Sequence, residues 1–287
     1  MSSIREVDLS SGPIRYRDSG EGPPIVFVHG LLVDGDLWRK VTPHLDDRFR
    51  CIVPDWPLGS HTLPMREGAD LTPRGVARLI AEFLEALDLS DVTLVGNDTG
   101  GALSQLLVTE RPERVGRLVL TPCDAFDNFP PRMFRPLLVL AKVPGAPVAV
   151  AQLGRFHAIR RLPNFFGWLM KHGVPKDVSA QWLEPARRNP AIRRDLAAFL
   201  KAIDPKDTQA AAERLHTFDR PVLLAWAPED RFFPFEHARR LAELFPDARV
   251  EEIPDSYSFV SEDQPERVAQ LIAEFVAVRE RTDAAVS

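Results

Sequence analysis

Between residues 92 and 101 an apolar run, Val92-Thr93-Leu94-Val95, breaks into glycines around a single carboxylate, Gly96-Asn97-Asp98-Thr99-Gly100-Gly101. The run suits a buried strand, and Leu103, Leu106 and Leu107 then recur at helical spacing. The stretch reads as strand, sharp turn and helix, with Asp98 at the bend. Gly96 and Gly100 stand two residues either side of it, where a Cβ would collide with the neighbouring strand or helix. The rest of the chain has to be organised around that bend.

Strands and helices alternate on both sides of it. Val7 to Leu9 and Ile14 to Tyr16 suggest an opening antiparallel hairpin, and Pro24–Val28 is a continuous apolar run of the kind buried on both faces. A helix is expected through Trp38 and Leu45, then a strand at Phe49–Val53. Thr72-Pro73 is an N-cap followed by proline at the first helical position, and Val76, Leu79, Ile80, Phe83, Leu84 and Leu87 share one face of the helix that follows. Arg117–Thr121, Pro221–Trp226 and Arg249–Ile253 complete the buried strands, and a last helix carries Val268, Leu271, Ile272, Phe275 and Val276. Such alternation indicates parallel βαβ units. From Pro122 to Asp204 the pattern changes to prolines, aromatics and helical stretches such as Ile192 to Ile203, with no clear strand. Residues after about Arg281 read as a frayed tail.

A chain of 287 residues with 45% hydrophobic content can bury one large core, or a core plus an inserted subdomain. Lysine and arginine total 36 against 41 acidic residues, and no basic stripe argues for nucleic acid, nor a polybasic run for a membrane surface. Met1–Asp8 lacks the apolar core of a secretory signal and no apolar run is long enough to span a bilayer, so the expected location is cytoplasmic. Cys51 and Cys123 border strand ends and read as buried free thiols.

The bend resembles the nucleophile elbow of the α/β-hydrolase superfamily, G-x-Nu-x-G, with aspartate in place of the common serine. The resemblance covers nearly the whole chain and implies an α/β-hydrolase fold: a mostly parallel eight-stranded sheet flanked by helices with an inserted helical cap. Residues 1–121 and 205–287 would form the core domain and 122–204 the cap, with some cap aromatics lining an apolar pocket. The first buried strand ends in His29-Gly30-Leu31, from which the family takes one oxyanion-hole N–H. By resemblance that donor is Leu31 and its partner Thr99, while His29 braces the loop. The loop Ala227-Pro228-Glu229-Asp230 resembles the family's acid loop, with Asp230 on the acid.

The family's catalytic histidine follows the last strand, and there Ser258 occupies its place within Ile253-Pro-Asp-Ser-Tyr-Ser-Phe259; no histidine lies beyond His237. A serine nucleophile without its histidine would be nearly inert, but an aspartate with a pKa near ~3.9 is already ionised. Asp98 could open an epoxide or displace a halide to form an ester, whose hydrolysis then needs a base worth about 10²–10⁴ in rate. His61, at the rim beyond the fourth strand, is the first candidate for that base. His157 and His172 in the cap, Asp230 itself, and Asp124 as a second acid are the others. Haloalkane dehalogenases usually carry tryptophan after the nucleophile, where this chain has Thr99, and epoxide hydrolases use cap tyrosines. Here the only tyrosines are Tyr16 and Tyr257, both outside the cap, with Tyr257 beside the vacant histidine position.

The expectation is therefore a hydrolase with Asp98 as nucleophile, Asp230 and His61 as its partners, and Leu31 and Thr99 holding the oxyanion. It would act on a small apolar substrate, epoxide-hydrolase-like or dehalogenase-like, with no metal or organic cofactor and no nucleic-acid or membrane partner. Two alternatives stand beside it. One is a ligand-binding or regulatory protein that kept the fold and lost turnover, and the other a lyase or cyclase using Asp98 for proton transfer.

Overall fold

A computed structural model describes residues 3–143 and 145–283 of the chain. Eight strands form one sheet: β1 (Ser3–Leu9), β2 (Gly12–Ser19), β3 (Pro24–Val28), β4 (Arg50–Pro54), β5 (Val92–Asp98), β6 (Val115–Cys123), β7 (Val222–Trp226) and β8 (Ala248–Glu252). Their spatial order is β1-β2-β4-β3-β5-β6-β7-β8. β1 pairs antiparallel with β2, and β2 with β4; every later pairing is parallel. The antiparallel edge is the expected hairpin. In the parallel part β5 is buried at all seven positions, as a strand covered by helices on both faces must be.

The helices are α1 (Pro73–Ala86), α2 (Thr99–Glu110), α3 (Arg135–Leu140), α4 (Ala146–Leu153), α5 (His157–Arg160), α6 (Lys176–Arg188), α7 (Pro190–Ala202), α8 (Pro205–Ala212), α9 (Phe235–Leu244), α10 (Val260–Asp263) and α11 (Pro265–Asp283). Thr72 caps α1 through its hydroxyl, which accepts from Gly75 N–H at 3.0 Å, and Pro73 takes the first helical position as expected. The helix expected through Trp38 and Leu45 is instead two short 3₁₀ turns, Gly35–Trp38 and Thr42–His44. Pro43 explains the break, because it has no N–H to bond one turn back and its ring would clash with the Arg39 carbonyl of a continuous α-helix. The tail expected after Arg281 lies, beyond Asp283, outside the described residues.

Between β6 and β7 there is no strand among the described residues, only helical segments and one isolated bridge, Ala125 to Asn128. This stretch shares the main core rather than standing apart from it. Trp182 packs edge-on against Phe166 at 5.5 Å and against Phe259 of the region before α10 at 6.2 Å. A smaller apolar cluster of Ala141, Ala186, Ile192, Leu196 and Leu200 ties α3, α6 and α7 together. Both cysteines are buried free thiols.

Candidate active site

Asp98 is the last residue of β5 and has φ 54° and ψ −131°, a backbone conformation that a residue with a Cβ rarely adopts. Packing around the bend enforces it. A Cβ on Gly100 would strike the backbone oxygens of Val28 and His29, the latter at 2.6 Å, and one on Gly96 would lie 2.7 Å from Ser104 Oγ. Both flanks therefore need the absence of a side chain, as the sequence suggests. Gly30 has the same requirement for a different reason: its Cβ would fall 2.6 Å from Asp98 Oδ1 and 2.5 Å from Asp98 Cβ. Nothing in the His-Gly pair announces that contact in advance.

The glycine-lined approach brings two backbone donors to one oxygen. Asp98 Oδ1 accepts from Thr99 N–H at 2.6 Å and from Leu31 N–H at 3.4 Å. Leu31 and Thr99 are thus brought together with Asp98, as the resemblance to the α/β-hydrolase elbow implies. Burial raises the Asp98 pKa, and the Thr99 and Leu31 hydrogen bonds oppose that rise.

Asp124 follows β6 and stands beside this pair. Its Oδ2 accepts from Thr99 Oγ1 at 3.2 Å, while Oδ1 is buried with no partner among the described residues. Burial first, and the neighbouring Asp98 charge second, hold its pKa well above the usual carboxylate range. Asp230, after β7, has Oδ1 fixed by Phe232 N–H and Phe233 N–H, both at 2.7 Å. Burial pushes its pKa up to about 7 against those two donors. The Ser258 hydroxyl lies close enough to favour the Asp230 carboxylate, yet neither Ser258 Oγ nor Asp230 Oδ2 completes a well-formed hydrogen bond. Three buried carboxyl groups therefore share one neighbourhood, with proton affinities spread apart by their surroundings.

The histidines are placed elsewhere. His29 is fully buried; its Nε2 accepts from Trp56 N–H at 2.8 Å and Nδ1 faces Gly30 O at 2.9 Å. Burial brings its pKa down to about 3, so it is a neutral brace for the loop. His61 Nδ1 accepts from Gly59 N–H at 3.3 Å, which puts the ring proton on Nε2, 3.3 Å from Asp195 Oδ2. That bond links the loop after β4 to α7 and does not bring the imidazole to Asp98. His157 faces Val174 O, and His172 is exposed beside Asp255. Tyr257 packs its ring under Arg231, at 4.7 Å from the guanidinium carbon.

Asn97 is the residue that sequence reasoning missed. Its Nδ2 donates to Thr121 Oγ1 at 2.8 Å, Pro122 O at 3.1 Å and Ser258 O at 2.8 Å. One amide thus ties the bend to the end of β6 and to the loop carrying Ser258. Its place beside Asp98 was the only available signal.

Asp98, Thr99 and Asp124 line a cavity of about 240 Å³ whose other walls are almost wholly apolar, including Leu31, Phe134, Phe165, Leu169, Ile203 and Phe233. Asn164 is the fourth polar residue on its lining, and none of the chain's seven histidines is there. No tryptophan or tyrosine lines it either. Such a space admits a small apolar ligand and offers it the carboxyl groups of Asp98 and Asp124 among apolar walls.

The sheet order, the strained bend and the paired amides define a hydrolase architecture, and the chain belongs to the alpha/beta hydrolase family, whose model matches residues 25–271. Haloalkane dehalogenase 2 of Mycobacterium tuberculosis (strain ATCC 25618 / H37Rv) is 32% identical over 281 residues, covering 94% of this chain and 93% of the relative. The 2-hydroxy-6-oxo-6-phenylhexa-2,4-dienoate hydrolase of Comamonas testosteroni is 27% identical over 258 residues, covering 87% of this chain and 86% of that one. Among solved structures, the haloalkane dehalogenase DbeA from Bradyrhizobium elkani USDA94 superposes with a TM-score of 0.81 at 19% identity, covering 98% of this chain and all of that one (100%).

Proposed function

We propose that the protein hydrolyses a small apolar electrophile, an epoxide or a haloalkane, through an ester on Asp98. Residues 122–204 act as the cap over a core of 1–121 and 205–287. The observation that carries this reading is the pair of backbone N–H groups, from Leu31 and Thr99, on one oxygen of a carboxyl group at the wall of an apolar cavity. With Oδ1 so held, Oδ2 is the attacking atom. It forms a bond to the substrate carbon as the carbon–oxygen or carbon–halogen bond breaks. Water then adds to Asp98 Cγ, the negative charge gathers on Oδ1, and the same two N–H groups stabilise it before the ester bond breaks. Relatives bearing dehalogenase names support the class of reaction.

The protons follow the spread of acidities. Asp98 carries the charge because two amides hold it, while Asp124, with an orphaned oxygen, carries the proton. In epoxide opening Asp124 gives that proton to the departing oxygen and, now ionised, takes one from the attacking water. As the ester bond breaks it gives this proton to the leaving alcohol oxygen, and the second water proton, left on the regenerated Asp98 carboxyl group, passes to Asp124. A halide needs no proton on leaving, so a protonated Asp124 favours the epoxide. Asp230, with a pKa of about 7, orients water or replaces the base. His61 is left out of this scheme, since both its ring nitrogens are engaged by Gly59 and Asp195.

Intact mass after incubation with a panel of epoxides and haloalkanes tests the reading. Turnover, or an adduct on Asp98, that disappears in Asp98→Asn is the expected result; no product and no adduct with any panel member would overturn it. The lack of a histidine on the cavity favours one other outcome, a binding protein of little turnover. Saturable ligand binding unchanged in Asp98→Asn, with no product, would establish that instead.

A further inference from the structure

The helical stretch over the cavity has an unusual surface. Among the described residues, nine large apolar side chains are exposed and eight of them lie between residues 133 and 162, including Met133, Val139, Leu140, Val148, Leu153 and Phe156. Soluble surfaces scatter such side chains singly; concentrated ones mark a contact. α4 makes the point locally. Its sequence, Ala146-Pro-Val-Ala-Val-Ala-Gln-Leu153, has one polar side chain, so the helix is apolar all round. Val150 faces the cavity, yet Val148 and Leu153 on the same helix are exposed. A helix of that composition is normally covered on every side.

Charge identifies the cover. From Asn128 to Lys176 the chain has no aspartate or glutamate at all, in a protein whose net charge is −5. Arg132, Arg135, Lys142, Arg155 and Arg161 are exposed within it, and none of the five joins an ion pair among the described residues. Arg155 instead stacks over the Phe156 ring at 4.5 Å. Long basic side chains around exposed aliphatic and aromatic groups are the composition of a surface that sits in a lipid headgroup layer. A second copy fits poorly, because a twofold contact through one patch would set these cations against themselves. The patch is also continuous with the cavity, since Met133 and Leu140 are both exposed and part of its lining.

We propose that this face docks on an anionic lipid surface, with the cavity mouth turned toward the acyl chains, so that apolar substrate enters from the membrane. The apolar and basic residues are spread over about thirty positions, Arg132 to Leu162, rather than gathered in a run, which is why no polybasic signal stands out in the sequence. Docking is independent of the chemistry assigned to Asp98, and Asp98→Asn should bind lipid as the parent does.

The test is flotation of the full chain with vesicles of mixed phosphatidylcholine and phosphatidylglycerol, against vesicles of phosphatidylcholine alone. Binding to the mixed vesicles is expected, weakening as salt rises from ~0.1 M to ~1 M and the screening length shrinks from about 10 Å to about 3 Å. Lys142→Glu combined with Arg155→Glu should reduce binding at least about tenfold, since each basic side chain near an anionic surface changes partitioning by about fivefold. Leu153→Asp should reduce it as well, and circular dichroism should show all variants folded. The proposal is overturned by no binding to the mixed vesicles, or by binding that these substitutions leave unchanged. A dimer that Leu153→Asp dissociates, without any vesicle binding, would also overturn it.

Discussion

Asp98 and Asp124 share Thr99: its backbone N–H donates to Asp98 Oδ1 at 2.6 Å, and its hydroxyl donates to Asp124 Oδ2 at 3.2 Å. One residue thus addresses two buried carboxyl groups that repel one another when both are ionised. Two backbone donors go to Asp98 and one hydroxyl to Asp124, whose carboxyl group burial and the Asp98 charge hold further above the usual range. In the proposed reaction, a division of this kind would let one carboxyl group act as acid beside another that attacks.

Asp124→Asn keeps the shape and the neutrality of the protonated acid but has no proton to transfer. Opening of an epoxide should slow by roughly 10²–10⁴, the usual worth of a positioned acid, with KM little changed. Formation of the Asp98 adduct from a haloalkane should not slow, because halide leaves unprotonated. Single-turnover kinetics followed by intact mass separates the two substrates, and equal slowing of both would remove Asp124 from the role of proton donor.

The pH profile follows from the same assignments. Activity needs Asp98 ionised, and is lost as pH falls through its raised pKa; epoxide opening needs Asp124 protonated, and is lost as pH rises through a value higher still. Stability has its own dependence, through Asp230. Its carboxyl ionises at about 7 when folded against 3.8 in a free chain, so between those values the folded state holds a proton that the unfolded state has released. Stability is therefore greatest below the unfolded value and declines as pH rises through about 7, by on the order of a few kcal/mol. Asp230→Asn retains an oxygen for the Phe232 and Phe233 amides and removes the charge. Its melting temperature should exceed the parent's at pH ~8 and approach it near pH ~5, as the linkage requires. A difference independent of pH would assign the effect to packing.

Gly30 and Gly100 should fail in different ways. A methyl group on Gly100 meets only backbone, at Val28 and His29, so Gly100→Ala forces β3 and the elbow apart and should cost roughly 2–4 kcal/mol in denaturant unfolding. A methyl group on Gly30 meets Asp98 at Cβ, which is fixed to the main chain, as well as at the carboxyl group, so it displaces the bend together with the carboxyl group. Gly30→Ala should therefore both unfold at a lower denaturant concentration than the parent and lose the Asp98 adduct, a double loss that Gly100→Ala need not show. Were Gly30→Ala active and Gly100→Ala stable, the tight approach of the His-Gly loop to the bend would not be what holds the carboxyl group.

The fold was legible because its signals are local. Val92–Val95, Thr72-Pro73 and the apolar spacing of α1 each specify an element within a few residues; five of the eight strands end within two residues of the expected bounds, while β1 begins four residues earlier and β2 and β5 run three residues further. Trp38 to Leu45 misled because its apolar residues have helical spacing while Pro43 forbids the helix. Within the site, Leu31 and Thr99 could be placed beside Asp98 by the resemblance of the His-Gly loop and the bend to those of α/β-hydrolases, and both N–H groups do reach its carboxyl group. Which side chains complete the site could not be, because that depends on contacts between distant segments. Asn97 reaches the loop of Ser258 across more than 160 residues, and nothing within a few positions of either predicts it. Asp124 could be named only as a second acid; its place on the cavity wall depends on the register of β6 beside β5.

His61 shows the same limit, and its replacement decides between two roles. The loop after β4 ends at the rim that carries the elbow, so a histidine there reads as a base; folded, it reaches α7 instead. Asp195 gathers His61 Nε2 at 3.3 Å, Met65 N–H at 2.8 Å and Arg194, and is itself buried. Removing the imidazole leaves that carboxylate with one donor fewer, so His61→Phe should lower stability by about 1–3 kcal/mol. As a brace, His61 contributes nothing to proton transfer, and kcat per folded molecule should fall by less than about threefold, against the 10²–10⁴ that loss of a base costs. Denaturant unfolding and active-site titration on the same preparation give both numbers. A large fall in kcat with stability unchanged would restore His61 to the chemistry and place the water it activates between the loop after β4 and Asp98.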